Sequence, residues 1–292
     1  MNEKLFSVLP MTQRFTMQGG ETYTGSITVV NPMTATEDFA YLVTVTPYNV
    51  IGTNYAADLT TRNLFTEIAD WITIENPTGI IHPNENVQVN YTITVPENVH
   101  GGGQYATLLV SSDPSVVTTK ADAATVNNVY QLASVIYADI GGEITREGSV
   151  ITNEIPGFSA NPSITLAATI ENKGNVHQDA ITRVNITNAF TGELIFPEDE
   201  SESSEFSDLI MPESTRYVTH EISDLPMVGL FNVQQTIYFN DIPYTAESQL
   251  FICPFWLLFV IFFVFSFTII GTITGILHHR RKRKSLPPKS PQ

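Results

Sequence analysis

The sequence predicts an all-β protein, two tandem immunoglobulin-like β-sandwiches followed by one C-terminal transmembrane helix, and three observations carry that prediction. Short runs rich in Thr, Val, Ile and Tyr recur from Glu21 onward between clusters of Gly, Pro and Asn, the rhythm of strands and turns. The clearest run alternates: Val87, Val89, Tyr91, Ile93 and Val95 share one face, and Gln88, Asn90, Thr92 and Thr94 take the other. One face is therefore buried and one wet. Towards the C-terminus, an uncharged apolar run from Leu250 to Leu277 ends directly on HHRRKRK, residues 278–284.

Taken in order, residues 22–30, 39–46, 87–95, 105–111 and 132–140 read as strands, enough for one immunoglobulin-like sandwich. The connection from Tyr48 to Ile72 contains Ile51, Tyr55, Leu59, Leu64, Phe65 and Trp71. It is too apolar for a solvated loop and is expected to hold short strands or one helical turn covering the sandwich. Gly101-Gly102-Gly103 has neither the strand-to-helix change nor the lysine of a phosphate cradle, so it reads as a turn entering a strand. Gly141-Gly142 is the expected hinge. Beyond it, strands are expected from Ile144 to Ile151 and across 164–170, 180–188, 216–222, 231–239 and 244–249. The predicted boundaries are thus 1–140 and 141–249 for the two sandwiches, 250–277 for the membrane helix and 278–292 for a basic tail.

The run 250–277 exceeds the roughly 20 residues needed to cross a hydrocarbon core. The basic residues that follow it, Arg280 to Lys284 and Lys289, are joined by no acidic one. Because juxtamembrane Lys and Arg stay inside, the tail is expected in the cytoplasm and the sandwiches outside a plasma membrane crossed once. Residues 1–18 show no leader to match: the apolar stretch 5–11 is interrupted by Ser7 and Pro10. Translation is accordingly expected to start further upstream.

With 30 acidic against 14 basic residues and a net charge of −16, the chain is repelled by nucleic acid, which is excluded as a partner. The single cysteine, Cys253, permits no intramolecular disulfide and reads as a small apolar packing residue at the outer membrane edge. A disulfide-free exterior suits a bacterial surface.

Glu198, Asp199, Glu200, Glu202, Glu205 and Asp208 crowd one segment, and clustered carboxylates suit calcium. Their spacing nonetheless lacks the ordered Asp-x-Asp-x-Asp-Gly scheme, so a solvated acidic loop is expected. His82, His100, His177 and His220 stand singly, without HExxH or paired ligand spacing. With no GxSxG elbow and the only cysteine at the membrane, the reading is no enzyme, no metal and no cofactor. LPPKS (286–290) lacks the Thr-Gly pair of a sortase signal and follows the helix, which leaves the helix as the anchor.

GGETYTGSITVVNP (19–32), VTVTPYNV (43–50), ADWITIENPTG (69–79) and NVQVNYTITVPENVHGGGQYATLLV (86–110) resemble the peptidoglycan-binding domain of bacterial WxL-interacting surface proteins. IENKGNVHQDA (170–180), IMPESTRYVTHEI (210–222) and LPMVGLFNVQQTIYF (225–239) are similar in layout to their host-binding domain. The order of two sandwiches, helix and basic tail matches too, so the resemblance covers nearly the whole chain. It implies non-catalytic adhesion: the first domain on peptidoglycan, the second on a surface or host matrix protein, with WxL proteins assembled alongside.

If the ligand is peptidoglycan or another cell-wall glycan, Tyr48, Tyr55 and Trp71 can pack on sugar CH groups while Asn49 and Asn54 bond hydroxyls. Trp71, just ahead of Ile72 and Ile74, also reads as a core or edge anchor. The alternative function is a structural subunit of a surface complex that pairs through exposed edge strands.

Overall fold

In the computed structural model, which describes residues 6–112, 130–197 and 205–284, period-two alternation becomes ladder pairing along most of the chain. Residues 198–204 of the acidic stretch and LPPKS lie outside the described residues. The first group of strands is β1 (Ser7–Leu9), β2 (Thr12–Met17), β3 (Thr22–Val30), β4 (Phe39–Pro47), β5 (Asn49–Ile51) and β6 (Ala56–Asp58). After the single turn α1 (Ile68–Trp71) come β7 (Ile72–Ile74), β8 (Thr78–Ile81), β9 (Asn86–Thr94), β10 (Gly102–Ser112) and β11 (Gln131–Ile140).

Two sheets result, ordered β1-β3-β9-β7 and β2-β11-β10-β4-β8, with β5 and β6 a separate hairpin. Val89, Tyr91 and Ile93 of β9 point into a core shared with Val29, Leu108 and Ile136, while Gln88 and Asn90 are exposed. The apolar connection between β4 and β7 does cover this core. Ile68 of α1 is fully buried, held where Gln104 Oε1 accepts its N–H at 3.1 Å and Gln104 Nε2 donates to the Leu64 carbonyl at 2.7 Å.

Residues 6–17 form strands that were not anticipated. Phe6 and Val8 are buried, and the Phe6 ring stacks on Phe39 at 4.3 Å. The chain then changes sheets, so that β2 runs parallel to β11. Three-residue β1 is too short for a period to show, and β2 exposes most of its polar side chains.

The second group is β12 (Gly148–Glu154), β13 (Phe158–Ser159), β14 (Ile164–Asn172), β15 (Gln178–Asn188), β16 (Leu194–Phe196), β17 (Glu205–Ile210), β18 (Ser214–Ile222), β19 (Gly229–Phe239) and β20 (Ile242–Ile252). Its sheets are β12-β14-β18 and β13-β20-β19-β15-β16, with β17 also on β15. Leu166, Ile186, Phe231 and Leu250 form one part of its core, and Ile170, Ile210, Ile237 and Phe239 another. Among the described residues, no sheet takes strands from both groups.

The apolar run does not become helix at Leu250, as hydropathy predicts. The chain stays in β20 through Ile252, with Leu250 and Ile252 buried and Phe251 turned outward. Those two side chains complete the second core, a burial that averaged hydropathy cannot distinguish from a helix in lipid. Only Cys253 and Pro254, both buried, separate β20 from α2 (Phe255–Lys284). Cys253 is thus a packing residue, as expected. The segment Phe255–Leu277, 23 residues of mean hydropathy 2.5, is long and apolar enough to cross a membrane.

Candidate functional site

Tyrosines concentrate where the two strand groups meet. Tyr105 of β10 and Tyr137 of β11 are buried with Met211, and Tyr48, Val50, Tyr55 and Phe65 pack around them. Tyr48 meets Tyr137 edge-on at 5.9 Å, and Tyr137 meets Tyr105 the same way at 5.7 Å. The Tyr105 hydroxyl accepts the backbone N–H of His177 at 2.8 Å, and the Tyr55 hydroxyl accepts that of Met211 at 2.9 Å. Arg216 sits over the Tyr55 ring, 4.8 Å from its centre. At the edge Arg14 makes a two-pronged pair with Asp179, at 3.0 and 3.4 Å.

The glycine clusters belong to this junction. The Gly103 N–H donates to the Asn175 carbonyl at 2.7 Å, and Asn175 Nδ2 donates to the carbonyls of Gly101 and Glu143. A Cβ on Gly102, where φ is +133°, would lie 2.9 Å from the Asn175 oxygen, and one on Gly101 would lie 2.7 Å from Gly142 Cα. The triple glycine does lead into β10; its reason is close backbone approach between the strand groups rather than ligand binding.

Burial here shifts titrations. The His177 imidazole is pushed below its ordinary range by desolvation, partly offset by the Asp139 carboxylate 3.5 Å away. Desolvation likewise raises the hydroxyls of Tyr105 and Tyr137 well above a free tyrosine. Deeper in the second group, His220 stacks on Phe206 at 4.3 Å with Nε2 3.0 Å from Asp208, which also faces Arg216 at 3.4 Å. His220 and Asp208 are enclosed and make no hydrogen bond to each other, and with Phe206 they form a packed interior cluster.

Among the described residues, grooves in two places offer room for a ligand. One, of about 380 Å³, lies along the junction, with Asn49, Asp58, Thr61 and Asn63 on one side and Glu213 and Ser214 on the other. Its polar wall is internally wired: Asn63 Nδ2 donates to Asn49 Oδ1 at 2.8 Å, and Asn49 Nδ2 to the Thr61 carbonyl. The Thr61 and Thr60 hydroxyls and the Thr60 N–H hold the Asp58 carboxyl below the usual carboxylate range, so it is an anion at neutral pH.

The other groove, of about 500 Å³, lies on the outer face of β15, β19 and β20. Cross-strand rows supply its polar groups: Thr187, Asn232 and Gln249 in one, Asn185, Gln234 and Glu247 in the next. Gln234 Nε2 donates to Glu247 Oε1 at 2.7 Å. No motif marks these residues; their one sequence signal is the alternation of Asn232 and Gln234 with buried Val233 and Gln235.

Of the five expected contact residues, the structure brings Tyr48, Asn49 and Tyr55 together at the junction. Only Asn49 among them lines the 380 Å³ groove; the two tyrosine rings are occupied by Tyr137 and Arg216. Asn54 is exposed in the β5–β6 turn, and Trp71 packs against the first core as an anchor. Among the described residues, no group of three His, Cys, Asp or Glu is placed to hold a metal ion.

No family model and no curated protein matches the sequence. Solved structures superpose over most of the chain at low scores. A chain of a chaperone–tip adhesin complex of CFA/I fimbriae biogenesis has 9% identity and TM-score 0.40, covering 85% of this chain and 99% of that one. The Salmonella enterica SafA pilin in complex with the SafB chaperone gives 11% and 0.39, covering 85% and 98%. The E. coli chaperone DraB gives 11% and 0.38, covering 84% and 96%. Similarity of this order assigns neither partner nor activity.

Proposed function

We propose that the chain is a non-catalytic binding protein of a bacterial surface, two immunoglobulin-like sandwiches displayed on a single membrane-spanning helix in the manner of WxL-interacting proteins. The observation that carries this reading is the continuity of β20 with α2: a strand that completes a sandwich core passes through two buried residues into an apolar helix. The basic residues 280–284 then lie in the cytoplasm and the sandwiches outside. A wall glycan is the ligand of the junction groove, whose amides, hydroxyls and carboxylates match sugar hydroxyls while Val50, Ile51 and Phe65 offer apolar contact.

Retention of the detergent-solubilised full chain on purified peptidoglycan tests this. Wild type is expected to be retained, and Asn49→Ala, with its melting temperature checked, to bind about tenfold more weakly, the worth of one or two hydrogen bonds. Failure of wild type to bind would refute the glycan. A surface protein that co-purifies without wall affinity would favour pairing in an assembly, for which residues 218–222 of β18, beyond the Tyr217 N–H that bonds to Thr53, are an available edge.

A further inference from the structure

We propose that the helix-proximal end of the second strand group is a lipid-docking surface, seated in the headgroup–acyl boundary of the bilayer that α2 enters. The proposal rests on the reading of α2 as a membrane span and goes beyond it, because a tether alone would leave the sandwich free in water.

Three loops converge on the start of α2. Phe158 of β13 pairs with Phe251, and its ring lies 6.2 Å from that of Phe251 and 6.0 Å from that of Phe255, the first helical residue. Gly229 is opposite Ile252, which brings Met227 and Val228 beside the same point. The Ala189 N–H donates to the Leu230 carbonyl, which places the turn bearing Phe190 next to them. Each loop presents an apolar side chain to solvent: Phe190 is 83% exposed, Met227 57%, Val228 49% and Phe158 42%. Exposure of this kind on three separate loops at one end of a sandwich is costly in water and marks an interaction surface.

The anchor's geometry says what covers it. At about 1.5 Å per residue, Phe255–Leu277 is about 35 Å long against a hydrocarbon core of about 30 Å, so the span begins within a turn of Phe255. No slack separates that point from the sandwich. Cys253 and Pro254 are buried, and the Cys253 and Phe251 N–H groups donate to Ser159 and Gly157 at 3.0 Å. The loops must then meet the interface, with Phe255 and Trp256 in the aromatic belt. Loop residues 155–163, 189–193 and 223–228 contain no Lys or Arg and do contain Glu193 and Asp224. Apolar insertion rather than attraction to anionic headgroups therefore holds the surface down.

The test uses the full chain in lipid nanodiscs, with an environment-sensitive fluorophore on a cysteine introduced at Phe190, Met227, Ile51 or Ile270, one at a time; native Cys253 is buried, and the unsubstituted chain serves as the labelling control. Labels at 190 and 227 are expected to be blue-shifted, quenched by doxyl lipids and shielded from aqueous iodide, equally in neutral and in anionic nanodiscs. A label at 51 should be open to iodide, and one at 270 quenched by deep doxyl groups. If 270 is quenched while 190 and 227 behave like 51, the docking fails and the span stands. Loss of quenching at 270 overturns both. Shielding of 190 and 227 from iodide without doxyl quenching means that protein covers the loops, and overturns the lipid surface.

Discussion

His177 shows how one buried side chain couples the junction to pH. Its folded-state affinity for protons is lowered, so above its ordinary value of 6.5 it is neutral both docked and released and costs nothing. As pH falls below about 6.5, the released or unfolded imidazole takes up a proton that the docked one resists, and the junction loses stability. Protection of the Gly103 and Tyr217 amides, which bridge the strand groups, relative to their intrinsic exchange rates should fall between pH 7.5 and pH 5.5, and His177→Gln should flatten the response. Tyr105→Phe removes the acceptor of the His177 N–H and should cost about 1–3 kcal/mol in a thermal or urea melt, the penalty for a buried donor left unpaired. Arg14→Ala should cost under about 1 kcal/mol, because its pair with Asp179 is exposed. No sequence pattern joins Tyr105 to His177 or Tyr55 to Met211; these pairs come from how the groups are stacked, and only the aromatic richness of the 48–72 connection hinted at them.

At the scale of elements, strands with unbroken alternation were legible: β3 matches the expected 22–30, and β9 is offset by one residue from the expected 87–95. What escaped were elements whose signal is local or shared. β1 and β2 are short and part exposed, and the apolar end of β20 reads as helix because burial in a core and burial in lipid select the same side chains; α1, by contrast, is the helical turn expected in the 48–72 connection. The β20 assignment has a direct consequence. Leu250→Ala should destabilise the second strand group by about 2–5 kcal/mol in a urea melt, as a core cavity does, whereas a residue of a lipid-facing helix would leave that melt unchanged. Gly102→Ala should cost more than about 1 kcal/mol, from its positive φ and the approach of Asn175.

Over the whole molecule, the strand alternation and the C-terminal run conveyed a β-rich chain ending in one long apolar helix, and the strand groups with their helix have the predicted order. The grooves were not legible, because each gathers residues far apart in sequence. In the function proposed above, α2 crosses a membrane with both strand groups outside. Cysteine at Ile51 or at Ser290, treated with a membrane-impermeant maleimide on intact cells making the full chain, tests it most directly. Labelling is expected at 51 in intact cells and at 290 only after permeabilisation, with the chain resisting carbonate extraction. Labelling at 290 but not 51 in intact cells, or release by carbonate, would contradict it.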